Sequence, residues 1–143
     1  MQESKIYDIT IVGGGIVGLA TAYKLQCKYP NLTLAVLEKE SQLAFHQTGR
    51  NSGVIHSGLY YRPGSYRALT CVNGRKQLVS FAEEHGVDYD ICGKIVVATS
   101  QEELPPLDKI RENGLKNGLV GIEVIDKKRI QEIEPYIAGI KAL

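Results

Sequence analysis

The chain has 143 residues, a length that suits one domain. Its 17 basic and 16 acidic residues leave a net charge of +1, which argues against a nucleic-acid or anionic-membrane binder working by bulk charge. Hydrophobic residues at 43% and charged residues at 23% exclude a disordered chain, and three cysteines without CxxC spacing argue against a disulfide scaffold or a structural zinc site.

The first predicted element is a strand over residues 7–12 (Tyr-Asp-Ile-Thr-Ile-Val), apolar enough to be buried on both faces of a parallel sheet. Gly13-Gly14-Gly15 follows. Ile16, Leu19, Ala20, Tyr23, Leu25 and Cys27 then form the apolar face of a helix that Pro30-Asn31 ends. A second strand is predicted over 32–37, closed by Glu38, so residues 7–38 read as a βαβ unit. The apolar run 9–23 is not a membrane span: Thr10, Gly13, Gly14, Gly15 and Gly18 interrupt it, and a span needs roughly 20 apolar residues.

From 39 to 64 no periodicity holds, and Thr48, Gly49, Asn51, Ser52, Gly53, Ser57 and Gly58 mark a long irregular segment of the functional kind. A helix is predicted over 65–84, with Asn73-Gly74 as a weak point and Gly86 as its cap. Residues 93–98 read as a strand. Ser100 to Glu103 resembles a capping box, but the helix itself is placed from Pro105-Pro106 to Asn113 or Asn117, each followed by glycine. A strand over 120–125 and a short helix capped by Asp126 and ending before Pro135 complete the reading.

Glycine is the compositional outlier, 15 residues where roughly 7% is usual. Gly13-x-Gly15-x-x-Gly18 lies between the first strand and its helix, and each position has a reason. Gly13 permits the tight turn, Gly15 lets a pyrophosphate approach the backbone at the helix N-terminus, and Gly18 lets the helix pack on the sheet. Glu38 stands about 20 residues further on, where a carboxylate accepts ribose hydroxyls and repels a 2′-phosphate. The adjacent Lys39 weakens that repulsion slightly. The pattern fits either FAD or NAD, both of which carry an ADP half; the alternative is a glycine-rich turn with no ligand.

The second glycine segment, 46–61 (HQTGRNSGVIHSGLYY), separates the two cofactors. An NAD domain would continue to another helix, whereas a polar loop rich in short side chains suits a second stretch of phosphate, ribityl chain or flavin ring. The runs 8–22 (DITIVGGGIVGLATA), 37–40 (LEKE) and 51–58 (NSGVIHSG) resemble the FAD-dependent oxidoreductases of the D-amino-acid oxidase superfamily. Within it, HQTG at 46–49, YYRPGS at 60–65 and CGKIVVATS at 92–100 look like the group that oxidises L-2-hydroxyglutarate.

The resemblance implies an α/β architecture: a Rossmann-like FAD-binding domain, with its first βαβ unit and flavin loop in 1–90, and the start of a mixed β substrate domain in 91–143. It implies hydride transfer from a 2-hydroxy acid to FAD, with electrons passed to oxygen or a quinone. Gly13, Gly15, Gly18, Glu38 and Lys39 are then expected at the ADP half, and Thr48, Asn51, Ser52 and Gly53 along the rest of FAD. His56 is the catalytic candidate, an imidazole suited to take the hydroxyl proton; the alternative is that it packs beside the flavin. Arg50, Arg62 and Arg67 are available to a dicarboxylate, with ordinary surface positions as the alternative.

An amine, an amino acid or glycerol 3-phosphate is the alternative substrate of the same fold, and a non-catalytic remnant is the alternative of another class. Members of the superfamily are considerably longer, so the chain reads as an N-terminal portion, truncated at 139–143 without a capping element and inactive alone. The expected setting is cytoplasmic, with peripheral membrane association compatible for a full-length enzyme. No transmembrane segment, nucleic-acid partner or metal is expected, and unpaired sheet edges are the expected route to self-association.

Overall fold

In the computed structural model, residues 5–143 are described, and the chain divides after Gly53 into two compact units. In the first, β1 (Ile9–Val12) leads through the glycine turn into α1 (Ile16–Lys28), which returns to β2 (Leu34–Leu37). The strands are parallel and in register from Ile9 opposite Leu34 to Val12 opposite Leu37, the pairing that a βαβ connection requires. Asp8 locks the entry to this pair: its Oδ2 accepts from the N–H and the hydroxyl of Thr33, both at 2.7 Å. These bonds hold the Asp8 carboxyl below the usual carboxylate range.

The strands are shorter than the apolar runs, and β1 is not buried on both faces. Ile9 and Ile11 are half-buried, whereas Thr10 is exposed and Val12 is 86% exposed. Helix α1 covers one face, and among the described residues of this unit nothing covers the other. Alternation along the strand therefore divides its apolar residues between a covered and an open surface. Between residues 38 and 53 the only regular element is a 3-10 turn at Gln47–Gly49, within the segment where the sequence shows no periodicity.

The second unit begins with an extended stretch and a turn, then α2 (Tyr66–His85). Ser65 Oγ accepts from the Ala68 N–H at 3.2 Å, capping the helix start, and Gly86 ends it in the left-handed conformation at φ 63°. Asn73-Gly74 leaves the helix unbroken, because the exposed Gly74 costs a helix only ~1 kcal/mol relative to alanine. β3 (Val97–Ala98) leads to a 3-10 turn at Gln101–Glu103 and then α3 (Leu104–Lys116), whose first turn contains Pro105 and Pro106. Glu103 Oε2 accepts from the Thr99 N–H and hydroxyl at 2.6 and 2.9 Å, so the capping-box resemblance marks the 3-10 turn rather than the helix proper.

β4 (Ile125–Asp126) passes into α4 (Lys127–Ile133), where Asp126 Oδ1 caps the Arg129 N–H at 2.9 Å. The chain then enters β5 (Lys141–Ala142), the central strand of an antiparallel sheet ordered β3-β5-β4. Two expectations change here. The strands over 93–98 and 120–125 shrink to two residues each, with Gly93 at φ 83° and Gly121 at φ 75° turning the backbone away from extended geometry. The second lies in residues 139–143, where no strand was read: Lys141–Ala142 pairs with both β3 and β4. A Cβ on Gly139 would overlap the Val97 side chain, so glycine lets this segment approach β3, and Ala142 is fully buried. Leu107, Leu119, Ala98 and the fully buried Ile130 form the core around that sheet.

Candidate functional site

In the first unit the glycine turn and the loop after β2 close on each other. The Gly14 N–H donates to Glu38 Oε2 at 2.7 Å, the Glu40 N–H donates to Glu38 Oε1 at 3.0 Å, and the Ala44 N–H donates to the Gly14 carbonyl at 3.0 Å. Glu38 therefore stands at the end of β2 with each oxygen anchored once, leaving further acceptor sites for hydroxyl donors. The amides of Glu40 and then Gly14 hold its carboxyl below the usual range, with lesser help from Lys39 and His46.

That direction sets a pH prediction. A carboxyl whose folded value lies below its ordinary 4.5 keeps its interactions above that value and loses them as pH falls through the lower one. Affinity for adenosine itself, which carries no phosphate to titrate, should thus stay level from pH 8 down to about pH 5.5, since about one unit above its pKa a carboxyl is already ~90% ionised. A decline beginning near pH 6 would contradict the arrangement.

The three glycines of the fingerprint meet three different demands. Gly13 adopts φ 107°, which only glycine takes without strain. A Cβ on Gly15 would sit 3.2 Å from Thr48 Oγ1, and one on Gly18 would overlap the Gly13 carbonyl. The close approach at Gly18 brings α1 down on the turn, with Ile11 Cγ2 3.4 Å from the same point.

Gly15, the N-cap of α1, offers no side-chain cap, and no acidic residue occupies the first turn. The Ile16 N–H donates instead to Thr48 Oγ1 at 2.9 Å, a cap delivered from 32 residues away. The helix N-terminus therefore presents partial positive charge, uncontested by a local carboxylate, beside a hydroxyl that retains its own proton to donate. This cradle fits the phosphates and ribose of an ADP moiety. The Thr48–Ile16 bond was invisible to sequence reasoning, which through the family resemblance expected Thr48 along the rest of FAD rather than at the ADP half.

Other predicted residues fall as follows. Lys39 is 75% exposed and pairs with Glu40 at 3.4 Å, and His46 Nε2 lies 2.8 Å from the same carboxylate oxygen. Glu40, missed in the sequence reading, thus gathers the Lys39 ammonium and the His46 imidazole, and its carboxyl is lowered chiefly by the hydrogen bond from His46. The Asn51 side chain is engaged within its own loop: Nδ2 donates to the carbonyls of Gln47 and Thr48, and Oδ1 accepts from the Gly53 N–H. Ser52 and Gly53 are exposed, Gly53 at φ 65°. The Arg50 guanidinium stacks 4.6 Å from the Phe45 ring centre.

In the second unit His56 is exposed, and its imidazole has no partner among the described residues. Its backbone is held: the Cys71 thiol donates to the His56 carbonyl at 3.2 Å. Gly58 and Leu59 are buried beside it, Tyr60 lies under the Lys94 ammonium at 4.4 Å, and Arg62 and Arg67 are exposed. No cluster of metal-ligating side chains occurs among the described residues, and no described helix is long and apolar enough to cross a membrane.

Against known proteins, residues 8–143 match the family model described as FAD dependent oxidoreductase. The chain is 49% identical over its whole length to the mitochondrial L-2-hydroxyglutarate dehydrogenase of Nematostella vectensis, covering 31% of that protein. It is 50% identical over 96% of its length to the L-2-hydroxyglutarate dehydrogenases of Indibacter alkaliphilus and Homo sapiens, covering 34% and 30% of them; the human protein is mitochondrial. The chain thus spans about a third of the length of these curated relatives. Among solved structures, dithionite-reduced L-alpha-glycerophosphate oxidase from Mycoplasma pneumoniae with FAD bound matches 97% of the chain and 37% of its own. The TM-score is 0.82 and the identity 26%.

Proposed function

The chain belongs to the family of FAD-dependent oxidoreductases, and on that premise we propose that it is the adenosine-holding part of an enzyme that oxidises L-2-hydroxyglutarate to 2-oxoglutarate. The observation that carries the cofactor half is the closed cradle of Gly13 to Gly18, Glu38 and Thr48. The substrate half rests on identity near 50% to proteins named for that substrate.

FAD, when bound, supplies the acceptor for the hydride that leaves the substrate α-carbon. The protein's own residues do the rest. Gly15 and the first amides of α1 receive the phosphates, and Glu38 accepts the ribose hydroxyls. Lys39 lies beside the adenosine, with its charge offset by Glu40. Thr48 donates its hydroxyl hydrogen toward phosphate, while Asn51 keeps the loop shaped so that Ser52 and Gly53 offer their backbone to the remaining length of the cofactor. His56 takes the hydroxyl proton on an imidazole nitrogen as the α-carbon loses hydride, so the two electrons and the proton have separate destinations. Arg50, Arg62 and Arg67 are the candidate cations for a dicarboxylate, which needs at least one.

We further propose that 1–90 serves FAD and 91–143 begins the substrate-binding part. Among the described residues no further strand pairs with β1 or β2, and such edges favour association through an added strand. The free cysteines Cys27, Cys71 and Cys92 favour a reducing setting, cytoplasmic in the simplest case. Oxidation of glycerol 3-phosphate is the second reading, favoured by the structural match to a glycerophosphate oxidase.

One experiment tests the assignment. The protein carrying this chain is purified, and its yellow flavin band is followed under anaerobic conditions as L-2-hydroxyglutarate, glycerol 3-phosphate, glycine or sarcosine is added. Bleaching by L-2-hydroxyglutarate alone is expected. A colourless protein that takes up no FAD, or bleaching by the amines alone, would overturn the proposal.

A further inference from the structure

The side-chain nitrogen of Asn117 donates to two carbonyls, Gly58 O at 3.0 Å and Tyr61 O at 2.9 Å, across 59 and 56 residues of sequence. These carbonyls are the two ends of the turn 58–61, which its own Tyr61 N–H to Gly58 O bond closes only at 3.4 Å. An amide NH2 carries two donor hydrogens, one for each end. Asn117 is itself held as the C-cap of α3: its backbone N–H donates to Asn113 O at 2.9 Å, and Gly118 turns the chain at φ 77°. The same segment is fixed from the other side by α2, where Cys71 donates to the His56 carbonyl and a Cβ on Gly58 would meet Val72 Cγ2 at 3.1 Å. The backbone from His56 to Tyr61 is thus clamped between two helices while the imidazole stays exposed.

We propose that Asn117 is a positioning residue for His56, fixing the turn that follows it so that the imidazole is presented in one place. The proposal rests on the reading of His56 as proton acceptor. A turn closed only by its own 3.4 Å bond is weakly held by itself, and small misplacements of a reacting group are costly to rate.

The test uses Asn117→Ala and Asn117→Asp in the flavin-loaded protein, with two readouts. The first is hydrogen exchange of the amides in 57–61 without substrate. The second is the rate of flavin reduction by L-2-hydroxyglutarate across pH. For Asn117→Ala we expect faster exchange confined to that segment and a reduction rate lower by about 10- to 100-fold, with KM changed much less.

Asn117→Asp keeps the volume and the helix cap, so it carries the test if the alanine variant does not fold. Its carboxyl donates one hydrogen when protonated and none when ionised, so protection of 57–61 should weaken as pH rises past about 4 and return below it. Unchanged protection in both variants overturns the clamp. Loosened exchange with an unchanged rate and pH profile overturns the positioning of His56. An unchanged rate in His56→Ala overturns the reading of His56 itself, and the exchange data separate that failure from the other two.

Discussion

Gly18→Ala is expected to weaken flavin binding, with affinity for FAD or ADP lower by about 5- to 150-fold, because overpacking a tight contact typically costs ~1–3 kcal/mol and here no side chain is free to yield. The added Cβ would overlap the Gly13 carbonyl, a backbone atom in the turn that leads into α1. Relief requires α1 to lift from β1 or the turn to open. Either movement displaces the Ile16 N–H from Thr48 and Gly14 from Glu38, so the phosphate and ribose contacts fail together. Gly74→Ala is the control: that glycine lies within α2 with nothing within 4 Å of an added Cβ, and alanine there should stabilise the helix by roughly 0.5–1 kcal/mol. The measurement is flavin content and ADP affinity of the two variants beside thermal unfolding. Near-normal affinity in Gly18→Ala would mean that the cradle is not the binding site.

His56→Ala should slow the reduction of bound flavin by L-2-hydroxyglutarate by about 10²- to 10⁴-fold, the range for loss of a positioned general base. Flavin affinity should change little, since the segment around His56 is fixed by its backbone through Cys71, Gly58 and Asn117 rather than by the imidazole. A base must be unprotonated to act, so the rate in the parent protein should rise with pH. That rise should be missing in the variant. Stopped-flow absorbance across pH reads both effects. A fall of less than about tenfold, with a changed flavin spectrum, would assign His56 to packing beside the ring rather than to proton transfer.

The elements that were legible in the sequence are those whose signals are local. β1, α1 and β2 follow from an apolar run, a glycine turn and a helical face, each within a few residues. Ser65 and Gly86 bound α2, and Asp126 caps α4, because a cap is a contact between residues about three apart. The fingerprint glycines and Glu38 were legible for the same reason, since their spacing is set by one βαβ unit.

The antiparallel sheet was hidden. Its strands are two residues long, and β5 includes the charged Lys141 where a central strand is expected to be apolar. Only pairing with β3 and β4, across long stretches of chain, makes it a strand.

By itself, then, the sequence determined the βαβ unit, its helix boundaries, the carboxylate that ends β2 and, through motif likeness, the flavin family. Tertiary structure alone decided which groups the loops meet. It brought Thr48 to the N-terminus of α1, His46 to Glu40, and Asn117 to the turn beside His56. The physical reason is that propensity and periodicity act over a few residues, whereas a hydrogen bond between residues 32 or 59 apart depends on the whole path of the chain between them.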